Sequence, residues 1–318
     1  MNRPAILMTV PMHPAVTAGL GEHFSVHHLW EQADPDAFLL TYGGVIRGVA
    51  TGALYGRLGE ALFSRLPALE IVASFGVGYD NIDAQAAATR GIVVTNTPGV
   101  LADEVADLTI GLLLATIRQL PQAERFLRAG RWLERAFPLS PTLRGRRVGI
   151  LGLGGIGKAV ARRLEGFDIA IAYHGRNRQE GVAYPWYPTP LALAEACDVL
   201  IATLPGGAAT RHIIDAAVLK ALGANGIFVN VARGSVVDEL ALCAALADGT
   251  ILAAGLDVYA NEPHLSPALL ELPNVVLLPH IGSATERTRG AMGRLVADNL
   301  VSWFEHGRAL TPVAETRF

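Results

Sequence analysis

Four stretches of this chain carry residue types that could work together chemically. The first is Arg147-Val-Gly-Ile-Leu-Gly152-Leu153-Gly154-Gly155-Ile156-Gly157-Lys-Ala-Val, a short apolar strand that passes through G-x-G-x-x-G into a helical pattern. In such a turn Gly152 permits the tight bend, Gly154 lets the backbone approach a pyrophosphate, and Gly157 lets helix and strand pack closely. Amides at the helix N-terminus then face the phosphates. That is a dinucleotide site, and it points to hydride chemistry. The other three stretches are Asn230-Val231-Ala232-Arg233-Gly-Ser235, Asp257-Val-Tyr-Ala-Asn-Glu262-Pro263 and Pro279-His280-Ile-Gly282. Each follows an apolar strand, and in a doubly wound sheet the carboxyl ends of the strands line the ligand crevice. A guanidinium, two carboxylates and an imidazole are therefore candidates for one site.

The tip of the strand Ile169–Tyr173 distinguishes two cofactors. NAD sites usually place Asp or Glu there to hold the ribose 2′-OH, whereas this chain has His174-Gly175-Arg176-Asn177-Arg178. Asp168 lies at the wrong end of the strand. Guanidiniums at this position hold a 2′-phosphate through charge-assisted, often bidentate bonds. NADP(H) is the expected cofactor, with NAD(H) as the alternative, and Arg176 is the better reader because it comes first after the glycine.

The elements that must position these residues form two α/β series. Residues 5–10, Val45-Ile46, 71–74 and 92–95 read as buried strands punctuated by glycine, asparagine or proline. Helical stretches over 58–66 and 83–90 lie between them, which makes a parallel α/β unit over roughly 1–98. Ala102–Leu120 reads as one long helix, apolar over most of its circumference, and residues 125–143 as an irregular arm. Six strands follow, over 148–151, 169–173, 199–203, 227–230, 253–256 and 275–278. A final helix over about 284–305 returns to the first domain. The expected fold is α/β with two doubly wound parallel sheets. A Rossmann dinucleotide-binding domain, 99–286, is inserted into a flavodoxin-like substrate domain made of 1–98 and 287–318.

Bulk properties exclude other classes. With 318 residues, 51% hydrophobic and 17% charged, the chain has ample material for two cores. A net charge of −3 with no block of like charge gives no support for nucleic-acid binding. No run reaches about 18 apolar residues, so no membrane span is expected, and the N-terminal stretch lacks the apolar core of a signal peptide. Two cysteines, Cys197 and Cys243, are expected to be reduced, which fits the cytoplasm. No Cys/His cluster has zinc-ligand spacing and no carboxylates form a calcium loop, so no metal is expected.

Taken in order, the glycine-rich turn, Val-Ala-Arg-Gly, Asp-Val-Tyr-x-x-Glu-Pro and Pro-His-Ile-Gly resemble the D-isomer-specific 2-hydroxyacid dehydrogenases. Phe75-Gly-Val77-Gly78-Tyr-Asp80-Asn-Ile-Asp83 and Asn96-Thr-Pro-Gly99-Val-Leu-Ala-Asp103 look like further segments of that family, so the resemblance covers nearly the whole chain. The His-Gly-Arg-Asn tip is similar to that of the NADPH-dependent glyoxylate, hydroxypyruvate and hydroxyphenylpyruvate reductases.

The resemblance implies roles. His280 would be the general acid, giving a proton to the carbonyl oxygen as hydride reaches the carbon, a task suited to imidazole. Glu262 would hold its other ring nitrogen and favour the charged form. Arg233 would bind the substrate's carboxylate and carbonyl oxygens, and the amides of Val77 and Gly78 would hold the carboxylate from the other domain. Leu204 and Pro205 would flank the adenine, and Thr210 would lie near the phosphates. Val231, Ala232 and Arg233 would approach the nicotinamide ribose, Asp257 would hold the carboxamide, and His280 and Gly282 would complete the cofactor's surroundings. Position 102, a hydroxyl residue in many relatives, is alanine here.

The implied activity is NADPH-dependent reduction of a small 2-oxoacid, of the glyoxylate or hydroxypyruvate type, to the D-2-hydroxy acid. Hydroxyphenylpyruvate or another bulky 2-oxoacid is the alternative. Formate-oxidising relatives carry glutamine where Glu262 stands, which argues against that branch. A dinucleotide-sensing interaction protein of the corepressor type is the reading from another class. A homodimer is expected from the family, with the apolar helix and the 125–143 arm as interface and Trp132 as a candidate wall of the partner's pocket. Domain closure, hinged near 96–99 and 282–287, would exclude water.

Overall fold

The computed structural model describes residues 3–52 and 56–316. Met1, Asn2, Arg317 and Phe318, the outer ends of the first domain as the sequence delimits it, lie outside them. The chain forms two compact units, Met1–Leu101 with Ala284–Phe318, and Ala102–Ser283.

Among the described residues, the first unit holds five parallel strands: β1 (Ala5–Met8), β2 (Ser25–His28), β3 (Ile46–Gly52), β4 (Ile71–Phe75) and β5 (Val93–Thr95), in the order β2-β1-β3-β4-β5. This is the flavodoxin-like doubly wound order. Its central strands are apolar on both faces because helices cover both sides; Ile6, Leu7, Met8, Val49 and Val72 are fully buried. The long helix Glu286–His306, capped by Thr285, packs on this sheet through Val296, Ala297 and Leu300.

The second unit holds seven parallel strands: β6 (Arg147–Leu151), β7 (Ala170–His174), β8 (Trp186–Tyr187), β9 (Val199–Ala202), β10 (Ile227–Asn230), β11 (Ala253–Leu256) and β12 (Val275–Leu277). Their order is β12-β11-β10-β9-β6-β7-β8. The order reverses direction between β6 and β9, which is the switch point where Rossmann sheets take ligands.

Two edge strands lack the apolar run that marks the others. β2 carries the half-buried His27 and His28; His28 stacks on Trp30 with ring centroids 4.6 Å apart. β8 is two residues long. The expected helix over 102–120 is two helices, Ala102–Ile117 and Leu120–Arg128, separated by Gln119 in the left-handed region (φ 53°). Pro121 explains the break, because in a continuous helix it could not donate to the Ile117 carbonyl and its ring would clash with it, whereas in the first turn of a new helix it is tolerated. The expected irregular arm therefore begins as a helix, which buries Phe126, and becomes irregular after the short turn Arg131–Leu133. Between β3 and β4 the helix shrinks to Glu60–Phe63.

Candidate active site

In the second unit the strand ends are in register. Tyr187, His174, Leu151, Ala202, Asn230, Leu256 and Leu277 pair successively across the sheet, so all seven strands finish in one row. Every chemistry-bearing segment leaves the sheet from that row. Gly152 follows Leu151, Gly175 follows His174, Leu204 lies two residues past Ala202, Arg233 three past Asn230, Asp257 follows Leu256, and His280 lies three past Leu277.

The glycine-rich turn has the shape a pyrophosphate requires. Gly152 sits at φ 96°, and a β-carbon on Gly157 would stand 2.2 Å from the Gly152 carbonyl oxygen. Thr203, absent from the sequence reading, fixes that carbonyl with a 2.6 Å hydrogen bond from its hydroxyl. The helix Gly155–Leu164 starts at Gly154 with no side chain capping it, and Gly154 and Gly155 are exposed. Ile156 is half-buried and Leu153 is buried beneath the turn. This arrangement fits a dinucleotide phosphate on the helix N-terminus.

Beyond β7, Arg176, Asn177 and Arg178 are all exposed, and Asp168 lies before the start of the strand, at φ 53°. The His174 ring donates from Nδ1 to the Tyr187 carbonyl at 2.9 Å, since a carbonyl can only accept. Leu204 is buried and Pro205 exposed. Both donors of Thr210 are spent within its own loop, the hydroxyl on the Pro205 carbonyl at 2.7 Å and the amide on the Gly207 carbonyl at 3.2 Å.

The imidazole and the carboxylate meet. His280 Nδ1 lies 2.6 Å from Glu262 Oε2, and Glu262 Oε1 accepts the Tyr259 amide at 2.9 Å. Burial pushes the Glu262 carboxyl up, but the hydrogen bond and charge of His280, the Tyr259 amide and the charge of Arg233 together hold it below the usual glutamate range. Arg233 is thus near enough for its charge to act on this pair. Asn230, fully buried, shapes the loop that carries Arg233: its side chain accepts the Ala232 amide and donates to the Arg233 carbonyl, both at 3.0 Å. Arg233 Nη1 donates to the Ala232 carbonyl at 2.8 Å. Val231 and Ala232 are buried. Gly234 lets this loop lie against the Glu262 loop, because a β-carbon there would overlap the Tyr259 carbonyl carbon at 1.8 Å.

Asp257 does more than the sequence suggests. Buried, it accepts the Ile281 amide at 2.7 Å and the Gly282 amide at 2.8 Å. His280, between these partners and β12, has a left-handed backbone (φ 53°), which costs a residue with a β-carbon roughly 1–2 kcal/mol. The Asp257 clamp and the Tyr259 hydroxyl, which donates to the Leu278 carbonyl at 2.7 Å, hold that conformation. Burial raises the Asp257 carboxyl above its ordinary value, against the lowering effect of the two amides. Its remaining lone pairs can still accept from a ligand amide.

Val77 and Gly78 belong to the first unit, in the loop after β4. Asn96 Nδ2 donates to the Val77 carbonyl at 2.8 Å, and the Thr97 amide to the Gly76 carbonyl at 2.8 Å, so this loop is pinned to the end of β5. Among the described residues no group of three His, Cys, Asp or Glu side chains could hold a metal ion, and no helix is long and apolar enough to cross a membrane.

A parallel sheet of this order, a glycine-rich turn and an imidazole–carboxylate pair on one row of strand ends define a nicotinamide-dependent oxidoreductase. Residues 110–282 match the D-isomer specific 2-hydroxyacid dehydrogenase, NAD binding domain, and the chain belongs to that family. It is 44% identical over 313 residues to the glyoxylate/hydroxypyruvate reductase A of Arabidopsis thaliana, covering 98% of this chain and 100% of that one. It is 42% identical to the hydroxyphenylpyruvate reductase of Plectranthus scutellarioides over the same shares. The crystal structure of an NADPH-dependent glyoxylate/hydroxypyruvate reductase from Sinorhizobium meliloti, in complex with NADP and malonate, superposes with a TM-score of 0.95 at 54% identity, covering 100% of this chain and 98% of that one.

Proposed function

We propose that this protein reduces a small 2-oxoacid of the glyoxylate or hydroxypyruvate type to the D-2-hydroxy acid, with NADPH as the preferred reductant. The observation that carries the reading is the His280–Glu262 pair, standing on the same row of strand ends as the glycine-rich turn and the arginine arc. A dihydronicotinamide held by these residues would supply the hydride. His280 Nδ1 is engaged by Glu262, so Nε2 is the atom that gives the proton to the nascent alkoxide. Arg233 neutralises the substrate's oxygens and polarises its carbonyl. Val77 and Gly78 are assigned to the substrate carboxylate. Residues 99–286 are assigned as the cofactor domain and 1–98 with 287–318 as the substrate domain.

Initial rates with NADPH and NADH against glyoxylate, hydroxypyruvate and hydroxyphenylpyruvate test the reading. Hydroxyphenylpyruvate as the best substrate would replace the small-acid assignment, in keeping with the Plectranthus relative. Turnover with none of them would sink it. Replacing Arg176 and Arg178 by alanine removes two charge-assisted contacts to a 2′-phosphate, each about 1.5–3 kcal/mol. The NADPH-to-NADH ratio of kcat/KM should therefore fall by at least about 100-fold, mainly through KM for NADPH. An unchanged ratio would refute the NADP assignment.

A homodimer belongs to the same proposal. The segment after residue 119 exposes Leu120, Leu127, Trp132 (67%), Leu133 and Leu139 (100%), apolar area that a second copy would cover. Sedimentation equilibrium should read two chains, and a monomer would sink this part. A cytoplasmic site is supported by Cys197 and Cys243, both free, with burial pushing the Cys197 thiol up to about 12. Cell fractionation checks it.

A further inference from the structure

The arc that follows β7 is tied down at both ends. At its start Trp186 Nε1 donates to the Gly175 carbonyl at 3.1 Å. At its end the Gln179 amide donates to the phenol oxygen of Tyr173 at 2.8 Å, and Tyr173 is fully buried. The Gln179 side chain then reaches elsewhere: its Nε2 donates at 2.8 Å to the carbonyl of Leu153, 26 residues earlier, inside the glycine-rich turn. Gln179 is half-buried, while Arg176, Asn177 and Arg178 stand exposed between the two ties.

An untethered exposed loop would sample many conformations, and binding would have to freeze them. Here one side chain joins the loop that carries the arginines to the turn shaped for the pyrophosphate. The 2′-phosphate and the pyrophosphate of one ligand hang from the same ribose, so their separation is confined to a narrow range. A bond between the two frames that meet them sets the guanidiniums at a constant offset from the pyrophosphate.

We propose that Gln179 is a positioning residue for the 2′-phosphate: through the Leu153 carbonyl it holds Arg176 and Arg178 in the register that selects NADPH over NADH. This rests on the reading that those arginines meet the 2′-phosphate. Gln179 touches neither reacting atoms nor substrate, so its removal acts on cofactor choice and not on turnover.

The test is a double-mutant cycle read as the NADPH-to-NADH ratio of kcat/KM. Gln179→Ala should lower the ratio by about tenfold through KM for NADPH, leaving kcat and KM for NADH within about twofold. In the Arg176→Ala/Arg178→Ala background the same change should move the ratio by less than about twofold, because the groups it positions are gone. Gln179→Glu keeps the size but cannot donate to a carbonyl, and should not restore the ratio. The proposal is overturned by equal loss of NADPH and NADH on Gln179→Ala, by equal loss of selectivity in both backgrounds, or by full selectivity in Gln179→Glu. If the arginine pair itself leaves the ratio unchanged, the 2′-phosphate reading fails first and takes the proposal with it. If the pair matters and Gln179 does not, only the positioning role fails.

Discussion

Under the proposed mechanism, His280→Ala should lower kcat for 2-oxoacid reduction by about 10²–10⁴-fold, the usual contribution of a positioned general acid. Glu262→Gln should lower it less, because the imidazole stays while its partner loses charge. The pair has a pH signature. Glu262 is pushed up by burial, but His280, the Tyr259 amide and Arg233 bring it below the ordinary glutamate value. A carboxyl whose folded value is depressed contributes stability that is fully present above the unfolded value, about 4.3. That contribution is lost as pH falls through the folded value. In thermal melts followed across pH, the acid transition of Glu262 should therefore lie below that of an ordinary glutamate, and Glu262→Gln should remove it. His280→Ala turning over within a few-fold of the parent would end the proton-transfer assignment. An acid transition unchanged in Glu262→Gln would show that the pair is not what titrates there.

Much of this site was legible as sequence because buried parallel strands are continuous apolar runs with sharp ends. Ile227–Asn230 and Ala253–Leu256 fall where the run and its punctuation put them. Once those ends are known, Arg233, Glu262 and His280 follow as residues just past them. What could not be read is held by backbone. Asp257 accepts amides 24 and 25 residues away, and Gln179 donates to a carbonyl 26 residues away. A main-chain N–H or C=O has no residue type, so no motif announces such a partner. Asn230 and Thr203 are of the same kind: each shapes a loop through carbonyls and amides. Edge strands fail for another reason. β2 and β8 are half-exposed, so neither needs a run of apolar residues. The break at Gln119 had a visible cause in Pro121, but the apolar periodicity on either side masks it.

Arg233→Ala should lower kcat/KM for the 2-oxoacid by about 10²–10³-fold, as loss of a donor aimed at developing negative charge does. The division between the two constants carries the argument. If Arg233 only held the carboxylate of the ground state, KM would rise and kcat would stay. If it also polarises the reacting carbonyl, kcat falls as well. The second outcome is expected, because the loop is built to hold the guanidinium still. Asn230 brackets the turn from both sides, and Nη1 is bound to the Ala232 carbonyl at 2.8 Å. Arg233→Lys restores charge without the fork, so it should recover KM more than kcat. Arg233 is the least of the influences that lower Glu262, so the acid transition of the imidazole pair should stay nearly where it is in both variants. A loss of kcat accompanied by a large upward move of that transition would mean that Arg233 acts through Glu262 instead of on the substrate.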